Sequence, residues 1–174
     1  QTVWPAVARA TRDGALGACS CKAMLSTNQY RGDEEMLLCV YVGDYRDAHK
    51  VGSVGMALCE LLRRVDPGLL RTPGGRARSF HFKPDVFTLE GRYQSQHASC
   101  AGNTRTIGNT AIYRLTPADP SKRAPGKLTV VEPDTKQPEH RRFWSRPMNA
   151  GAPRDGDGRR LAAKDTILFP PDAF

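Results

Sequence analysis

Hydrophobic residues recur at helical spacing near the start of the chain. Trp4, Val7, Ala8 and Thr11 follow one another at intervals of three or one, which places them on one helical face. Gly14 comes shortly after this stripe, and glycine is the residue that most often follows the last turn of a helix. The pattern therefore predicts an amphipathic helix that ends at Gly14.

Two extended segments follow this helix. Residues 18–25 alternate between the two faces of a strand, with Cys21 on one side and Lys22 on the other, which is typical of a half-buried strand. Residues 28–35 are polar and contain a glycine, so we predict a hairpin-type loop there. The continuous apolar run 36–42 predicts a central strand covered on both faces.

A second helix and several short strands complete the predicted fold. Asp47 is predicted to cap a helix that runs to about Arg64. Gly52 and Gly55 each weaken this helix by ~1 kcal/mol relative to alanine, so packing must hold it. A long basic loop over 65–78 leads to predicted strands at 79–83, 111–115 and 127–131. This order of elements predicts an α+β fold, an antiparallel sheet with helices on one face.

The distribution of proline divides the chain into two parts. Four of the thirteen prolines fall in residues 1–116 and nine fall in residues 117–174. We therefore predict an α+β domain over residues 1–131 and a Pro-rich, largely irregular tail over residues 132–174. The apolar segment Ile167–Phe169 could dock onto the domain or form a short strand, and the sequence leaves both open.

Charge and composition narrow the classes of partner. The chain has 26 Lys+Arg against 18 Asp+Glu, a net charge of +8, which suits an anionic partner such as RNA or a phosphorylated ligand. The basic residues occur in scattered pairs rather than in one run, so charge alone does not indicate a nucleic-acid-binding protein. The longest apolar run has seven residues, far fewer than the ~18 that a membrane-spanning helix needs.

The cysteine pattern bears on location and metal binding. The five cysteines have no recurring spacing, and Cys19 and Cys21 lack a matching second pair. These two side chains share a strand face and could share a metal, but the four histidines are isolated, so we predict no metal site and no cofactor. Reduced thiols favour a cytoplasmic or nuclear protein.

Four segments match a known family in their residues and in their order. They are Trp4–Leu16 (WPAVARATRDGAL), Cys21–Ala23 (CKA), Leu38–Asp47 (LCVYVGDYRD) and Phe82–Tyr93 (FKPDVFTLEGRY). Over residues 3–93 the chain resembles the basophilic-leukaemia-expressed (Bles) protein family, and the KPDVFT stretch is the most specific part of the match. Residues 94–174 stand outside this resemblance.

The resemblance carries expectations about fold and chemistry. It implies a fold like that of translation initiation factor 4E, a curved antiparallel sheet backed by helices. The first strand of the family is expected to precede Gln1. The family is also similar to phosphothreonine lyases, and this similarity implies that Lys22 would be the general base. The segment that would carry the lyase acid has no counterpart here, so His81 would have to replace it.

Two hypotheses about function come from these observations. The first is a non-enzymatic module that binds an anionic ligand, phosphorylated or RNA, through five predicted ligand-binding residues: Lys22, Arg76, Arg78, Lys83 and Asp85. The alternative is a phosphothreonine-lyase-like enzyme with Lys22 as base and His81 as acid.

Two pairs of polar residues admit a structural as well as a functional interpretation. Lys83 and Asp85 could hold a phosphate together, or Pro84 could end the strand and Asp85 form a turn. Asp44 and Asp47 could bind a divalent metal, but a turn at the first and a helix cap at the second explain them without a ligand.

Overall fold

Two antiparallel sheets and two α-helices make up the described part of the chain. The computed structural model describes residues 3–25, 36–72, 74–82, 112–131 and 152–170. The helices are α1 (Val3–Arg12) and α2 (Ala48–Val65), with short 3₁₀ turns at Pro67–Leu70 and Pro120–Lys122. The strands are β1 (Ser20–Leu25), β2 (Met36–Tyr41), β3 (Phe80–Phe82), β4 (Tyr113–Thr116), β5 (Gly126–Val130) and β6 (Thr166–Phe169). The predicted α+β class with antiparallel pairing is confirmed.

Helix α1 forms where the apolar stripe predicts it. Val7 is fully buried and Trp4 is half-buried, so the stripe faces the interior. The helix ends at Arg12, and Gly14 follows with a φ of +75°, a left-handed conformation that glycine adopts without strain. The predicted end of this helix is therefore confirmed.

Strands β1 and β2 form a two-stranded sheet that contacts α1. They pair antiparallel, with Lys22 opposite Cys39 and Ser20 opposite Tyr41. The alternation predicted for β1 is present, because Cys21 is half-buried and Lys22 is exposed. The structure differs from the prediction for β2. Among the described residues β2 pairs with β1 alone, and Cys39 and its neighbours are half-buried. An apolar run can cover one face of a small sheet as well as fill a central strand, and its periodicity does not separate the two.

Helix α2 is capped as its sequence predicts. The Asp47 carboxylate accepts a hydrogen bond from the backbone N–H of Lys50 at 2.8 Å, which satisfies one of the free N–H groups of the first turn. Asp44 accepts hydrogen bonds from the backbone and the guanidinium of Arg46 at 2.8–2.9 Å. These contacts confirm the cap-and-turn interpretation of the two aspartates.

Strands β3 to β6 form a four-stranded antiparallel sheet in the order β3-β4-β5-β6. The register places Phe80 opposite Leu115, Leu115 opposite Leu128, and Leu128 opposite Ile167. Side chains alternate along each strand, so this row and the neighbouring Tyr113 lie on the face that packs against α2. The Tyr113 hydroxyl donates a 2.8 Å hydrogen bond to the Tyr45 carbonyl, which gives this fully buried group a partner.

Glycines allow α2 to approach the sheet closely. A Cβ atom at Gly52 would overlap the ring of Phe169, and one at Gly55 would lie 2.8 Å from Leu115 Cδ2. On the sheet side, a Cβ at Gly126 would overlap the Met56 side chain. The glycines that weaken the isolated helix are therefore the positions at which it meets the sheet.

Residues 152–170 belong to the packed structure. The backbone of Arg154 hydrogen-bonds Arg46 and Ala48 at the start of α2, and Leu161 and Phe169 are buried. Of the two alternatives for Ile167–Phe169, the strand is the one observed. The predicted division at residue 131 stays a prediction, because residues 132–151 lie outside the described part.

Candidate functional site

One face of the four-stranded sheet is turned away from α2, and we call it the open face. It carries His81 of β3, Arg114 and Thr116 of β4, Lys127 and Thr129 of β5, and Thr166 and Leu168 of β6. His81, Arg114, Lys127, Thr166 and Leu168 are exposed, whereas their strand neighbours on the other face are largely buried. Leu168 is the most exposed large hydrophobic residue described, at 59%. The open face therefore combines cations, hydroxyls and one apolar side chain.

Two cations lie next to each other on this face. Arg114 pairs in register with Thr129, and Lys127 pairs with Thr116, so the two cations are diagonal neighbours on adjacent strands. Diagonal neighbours of this kind are ~7–8 Å apart, within reach of one phosphate or of two successive ones. Within the described part of the chain neither cation has an ion pair, and the open face carries no carboxylate.

His81 lies directly opposite Arg114 in the β3–β4 register. Partial desolvation of the ring lowers the pKa of His81 below its ordinary value, and the positive charge of Arg114 lowers the pKa further. The imidazole is therefore predominantly neutral at pH 7, with one nitrogen able to donate and one able to accept a hydrogen bond. A change in the electrostatic potential near Arg114 therefore changes the pKa of His81.

Threonine hydroxyls supply further hydrogen-bonding groups on the open face. Thr129 and Thr166 lie side by side on β5 and β6 with their Oγ1 atoms 3.2 Å apart. Thr166 Oγ1 also donates to the carbonyl of Lys164 at 3.3 Å. Hydroxyls both donate and accept, so they can contact phosphate oxygens without adding charge.

A basic hairpin leads into this sheet. It consists of residues 70–72 and 74–78, where Arg71 pairs with Ala77 and the Thr72 N–H donates to the Arg76 carbonyl at 2.8 Å. The Arg78 N–H donates to the Leu70 carbonyl at 2.8 Å, which ties the hairpin to a buried residue. The alternation of a hairpin then places Arg76 and Arg78 on the same side. Both are exposed, and neither has an ion pair among the described residues.

Many of the other basic residues are neutralised locally. Arg63 and Arg64 both pair with Glu60 on α2, and Arg63 also donates to the Ala118 carbonyl. Further ion pairs join Arg46 to Asp44, Arg12 to Asp13, Lys122 to Asp119 and Arg159 to Asp155. The net positive charge of the described structure is therefore concentrated more on the basic hairpin and the open face than the scattered sequence pairs suggest.

The structure places the predicted ligand-binding residues in different parts of the fold. Arg76 and Arg78 lie on the basic hairpin, and Arg78 precedes His81 by three residues. Lys22 lies on the two-stranded sheet, exposed and opposite Cys39, with its Nζ 5.3 Å from the centre of the Tyr41 ring. Strand pairing in the described residues does not join the two sheets, so a shared site of Lys22 with the hairpin stays a prediction.

Several predictions fall outside the described residues or concern metals and membranes. Lys83 and Asp85 lie outside the described part of the chain, as do the predicted loop at 28–35 and the end of the KPDVFT motif. Among the described residues, no group of three or more His, Cys, Asp or Glu side chains is arranged to hold a metal ion. No described helix is both long enough and apolar enough to cross a bilayer. Cys19, Cys21, Cys39 and Cys59 are free thiols.

Arg114 and Lys127 were not among the predicted site residues. Both strands that carry them were predicted, and the signal was present in their alternation, since each cation stands next to an apolar residue that is buried. The family resemblance covers residues 3–93, and both cations lie beyond that range. A polar residue inside a predicted strand marks the uncovered face, and here that face is basic.

Comparison with known proteins gives one family. The family model described as "Basophilic leukemia-expressed protein Bles03" matches residues 1–90, which is just over half of the 174-residue chain. The match covers α1, β1, β2, α2, the basic hairpin and β3, and it ends before β4. Neither the curated proteins nor the solved structures contain a match to the chain.

Proposed function

The chain belongs to the Bles03 family of basophilic leukemia-expressed proteins, and on this premise we propose that it is a non-enzymatic module that binds a phosphate-bearing anion on the open face. The observation that carries the proposal is the pair Arg114 and Lys127, two exposed cations on adjacent strands with no carboxylate on the same face of the described sheet. Uncompensated cations at this spacing repel each other, and an anion placed between them removes that repulsion.

The neighbouring groups support a phosphate rather than a simple carboxylate ligand. Arg114 offers a planar guanidinium that can hold two phosphate oxygens, and Lys127 offers a point charge. Thr129 and Thr166 add hydroxyl donors, and Arg76 and Arg78 extend the positive surface along the chain towards His81. RNA and phosphorylated proteins both present such groups. The described open face has no Phe, Tyr or Trp on which bases could stack, so contact would be mainly with phosphates.

The lyase alternative has less support. A general acid must hold a proton at working pH, and the pKa of His81 is lowered by desolvation and by Arg114, which favours the neutral imidazole. The proposed base, Lys22, lies on the two-stranded sheet with its Nζ 5.3 Å from the centre of the Tyr41 ring, and strand pairing in the described residues does not join that sheet to the one that carries His81.

We also propose that the fold is like that of translation initiation factor 4E. The support is an antiparallel sheet with α2 on one face and a basic, hydroxyl-rich surface on the other. The cytoplasmic or nuclear location likewise stays a proposal. An experimental structure that includes residues 83–111 would test whether further strands extend the four-stranded sheet beyond β3.

Binding experiments with two anions test the proposed function. The probes are an oligouridylate, for a phosphodiester chain, and inositol hexasulfate, for a compact cluster of fixed negative charges. We expect both probes to bind, with an affinity that falls as salt rises. The double variant Arg114→Gln/Lys127→Gln should lose at least about tenfold in affinity. Its salt slope for the oligouridylate should fall by about 1.4, since each phosphate that a cation neutralises on a single strand contributes about 0.7.

A matched control removes the same charge elsewhere. Arg9→Gln/Lys50→Gln takes two exposed cations from α1 and α2, and neither cation has an ion pair among the described residues. This variant should retain most of the affinity. The proposal is wrong if neither probe binds, or if the two double variants lose affinity equally, since long-range attraction to net charge would then explain the binding. Lys22→Gln, measured in the same way, shows whether Lys22 contributes to the site.

A further inference from the structure

His81 and Arg114 form an unusual pair for the open face of a sheet. They are directly opposite each other on β3 and β4, in register, and one is a permanent cation while the other gains a positive charge when protonated. Like charges directly opposite each other in a sheet are destabilising. A pair of this kind is more favourable when an anion lies over it, because the anion attracts both members.

We infer that His81 makes anion binding on the open face proceed with uptake of a proton, so that the site binds more tightly in mildly acidic solution. The inference rests on the proposed function, because it concerns the same face and the same ligand. It assigns His81 a role different from that of a catalytic acid. The histidine accepts a proton from solvent when the anion arrives and keeps it as long as the anion stays.

The surroundings of His81 give the reason. The charged group that faces His81 in register is the cation Arg114 on β4, and Lys127 of β5 is the diagonal neighbour of Arg114 on the same face. Thr129 and Thr166 are uncharged, and the described open face has no carboxylate. Without ligand, partial desolvation of the ring and then the charge of Arg114 keep the pKa of His81 low. A bound anion reverses the sign of the local field and raises that pKa.

The direction of the pH effect follows from linkage. Above both pKa values His81 is neutral with or without ligand, and affinity does not depend on its titration. As pH falls through the pKa of the complex, the bound state takes up a proton before the free state does, so affinity increases. Below the pKa of the free protein both states are protonated and the gain is complete. One proton limits the slope to about tenfold per pH unit.

The experiment uses probes whose own charge stays constant. Uridine bases, phosphodiesters and sulfate esters do not titrate between pH 5.5 and 8, so any pH dependence belongs to the protein. Dissociation constants of the oligouridylate and of inositol hexasulfate are measured over this range at constant ionic strength. We expect the affinity of the 174-residue chain for each probe to rise about three- to tenfold as pH falls from 7.5 to 5.5. Calorimetry in two buffers of different ionisation enthalpy should show uptake of up to one proton.

Two histidine variants complete the test. His81→Gln should lose the gain, so that its affinities at pH 5.5 and pH 7.5 are nearly equal. His49→Gln, which changes an exposed histidine on α2, should keep the gain.

Each outcome decides one question. Binding without pH dependence, or a pH dependence that survives in His81→Gln, overturns the inference and leaves the proposed function in place. If neither probe binds at any pH in this range, the proposed function itself is overturned.

Discussion

The two faces of the four-stranded sheet consist of alternate residues of the same strands, yet they differ in almost every physical property. On the face towards α2, Tyr113, Leu128 and Phe169 are almost completely buried. On the open face, their sequence neighbours Arg114, Lys127 and Leu168 are exposed. A single strand therefore contributes to stability at one position and to the candidate site at the next. Substitutions of adjacent residues should separate these two roles.

Close packing limits the size of the side chains on the face towards α2, whereas the open face has no such limit. The helix meets the sheet at glycines, and Gly52 contacts the ring of Phe169 without room for a Cβ atom. Added atoms there must displace either the helix or the ring. The side chains of the open face extend into solvent, so they are available to contact a ligand.

The largest expected effect separates two adjacent residues of β5. Leu128→Ala removes a side chain that is 2% exposed and should lower the free energy of unfolding by about 2–5 kcal/mol, because it leaves a cavity. Thr129→Ala changes a half-buried residue on the open face that contacts Thr166 across the strands, and it should lower the free energy of unfolding by no more than about 1 kcal/mol. Chemical denaturation of both variants checks this, and equal losses would show that the two faces are not distinct.

An intermediate effect is expected where α2 meets the sheet. Gly52→Ala raises the intrinsic helix propensity by ~1 kcal/mol, yet we expect it to destabilise the protein by about 1–3 kcal/mol, because its Cβ overlaps the Phe169 ring. The control Gly156→Ala introduces a Cβ that has only an ordinary contact with His49 at 4.0 Å, and its unfolding should change little. Stabilisation by Gly52→Ala would contradict the observed packing of α2.

The smallest effect concerns the stability of the unliganded protein and comes from the open face. The folded pKa of His81 is lowered, so the unfolded chain binds more protons just below pH 6.5 than the folded protein does. The contribution of His81 to the free energy of unfolding is fully present above that pH. It is lost as pH falls through the pKa of His81 in the folded protein. The difference in unfolding free energy between the unmodified protein and His81→Gln should therefore shift in favour of the variant from pH 7.5 to pH 5. A constant difference would show that His81 has an ordinary pKa.

Local signals in the sequence predicted the elements well. The stripe around Val7, the Asp47 cap and the alternation near Lys22 correspond to α1, α2 and β1 as observed. Each signal depends on residues a few positions apart, which the backbone brings together inside one helix or strand. The prediction of a strand covered on both faces at 36–42 is not confirmed in the described residues, where β2 pairs with β1 alone. What covers a strand depends on residues that are distant in the sequence.

The candidate site was predicted only in part. Arg76 and Arg78 were predicted to bind the ligand, which stays a prediction, and the structure places them on a hairpin that leads to His81. Arg114 and Lys127 were missed, because their proximity to each other and to His81 comes from pairing of strands far apart in the chain. The ion pairs of Arg63 and Arg64 with Glu60 were not predicted, although their spacing of three and four residues on a predicted helix is a signal for them. These pairs show why the two arginines contribute less to the positive surface than their position suggests.

The sequence by itself determined where helices and strands form, which positions in each are apolar, and that the chain carries a surplus of positive charge. The tertiary structure decided which face of the sheet α2 covers, and therefore which cations of the described sheet remain in solvent without an ion pair. The reason is physical. Periodicity and capping act over one or two turns of the backbone, whereas strand register and helix docking depend on contacts such as Phe80 with Leu115 and Gly52 with Phe169. Those contacts exist only after the chain has folded.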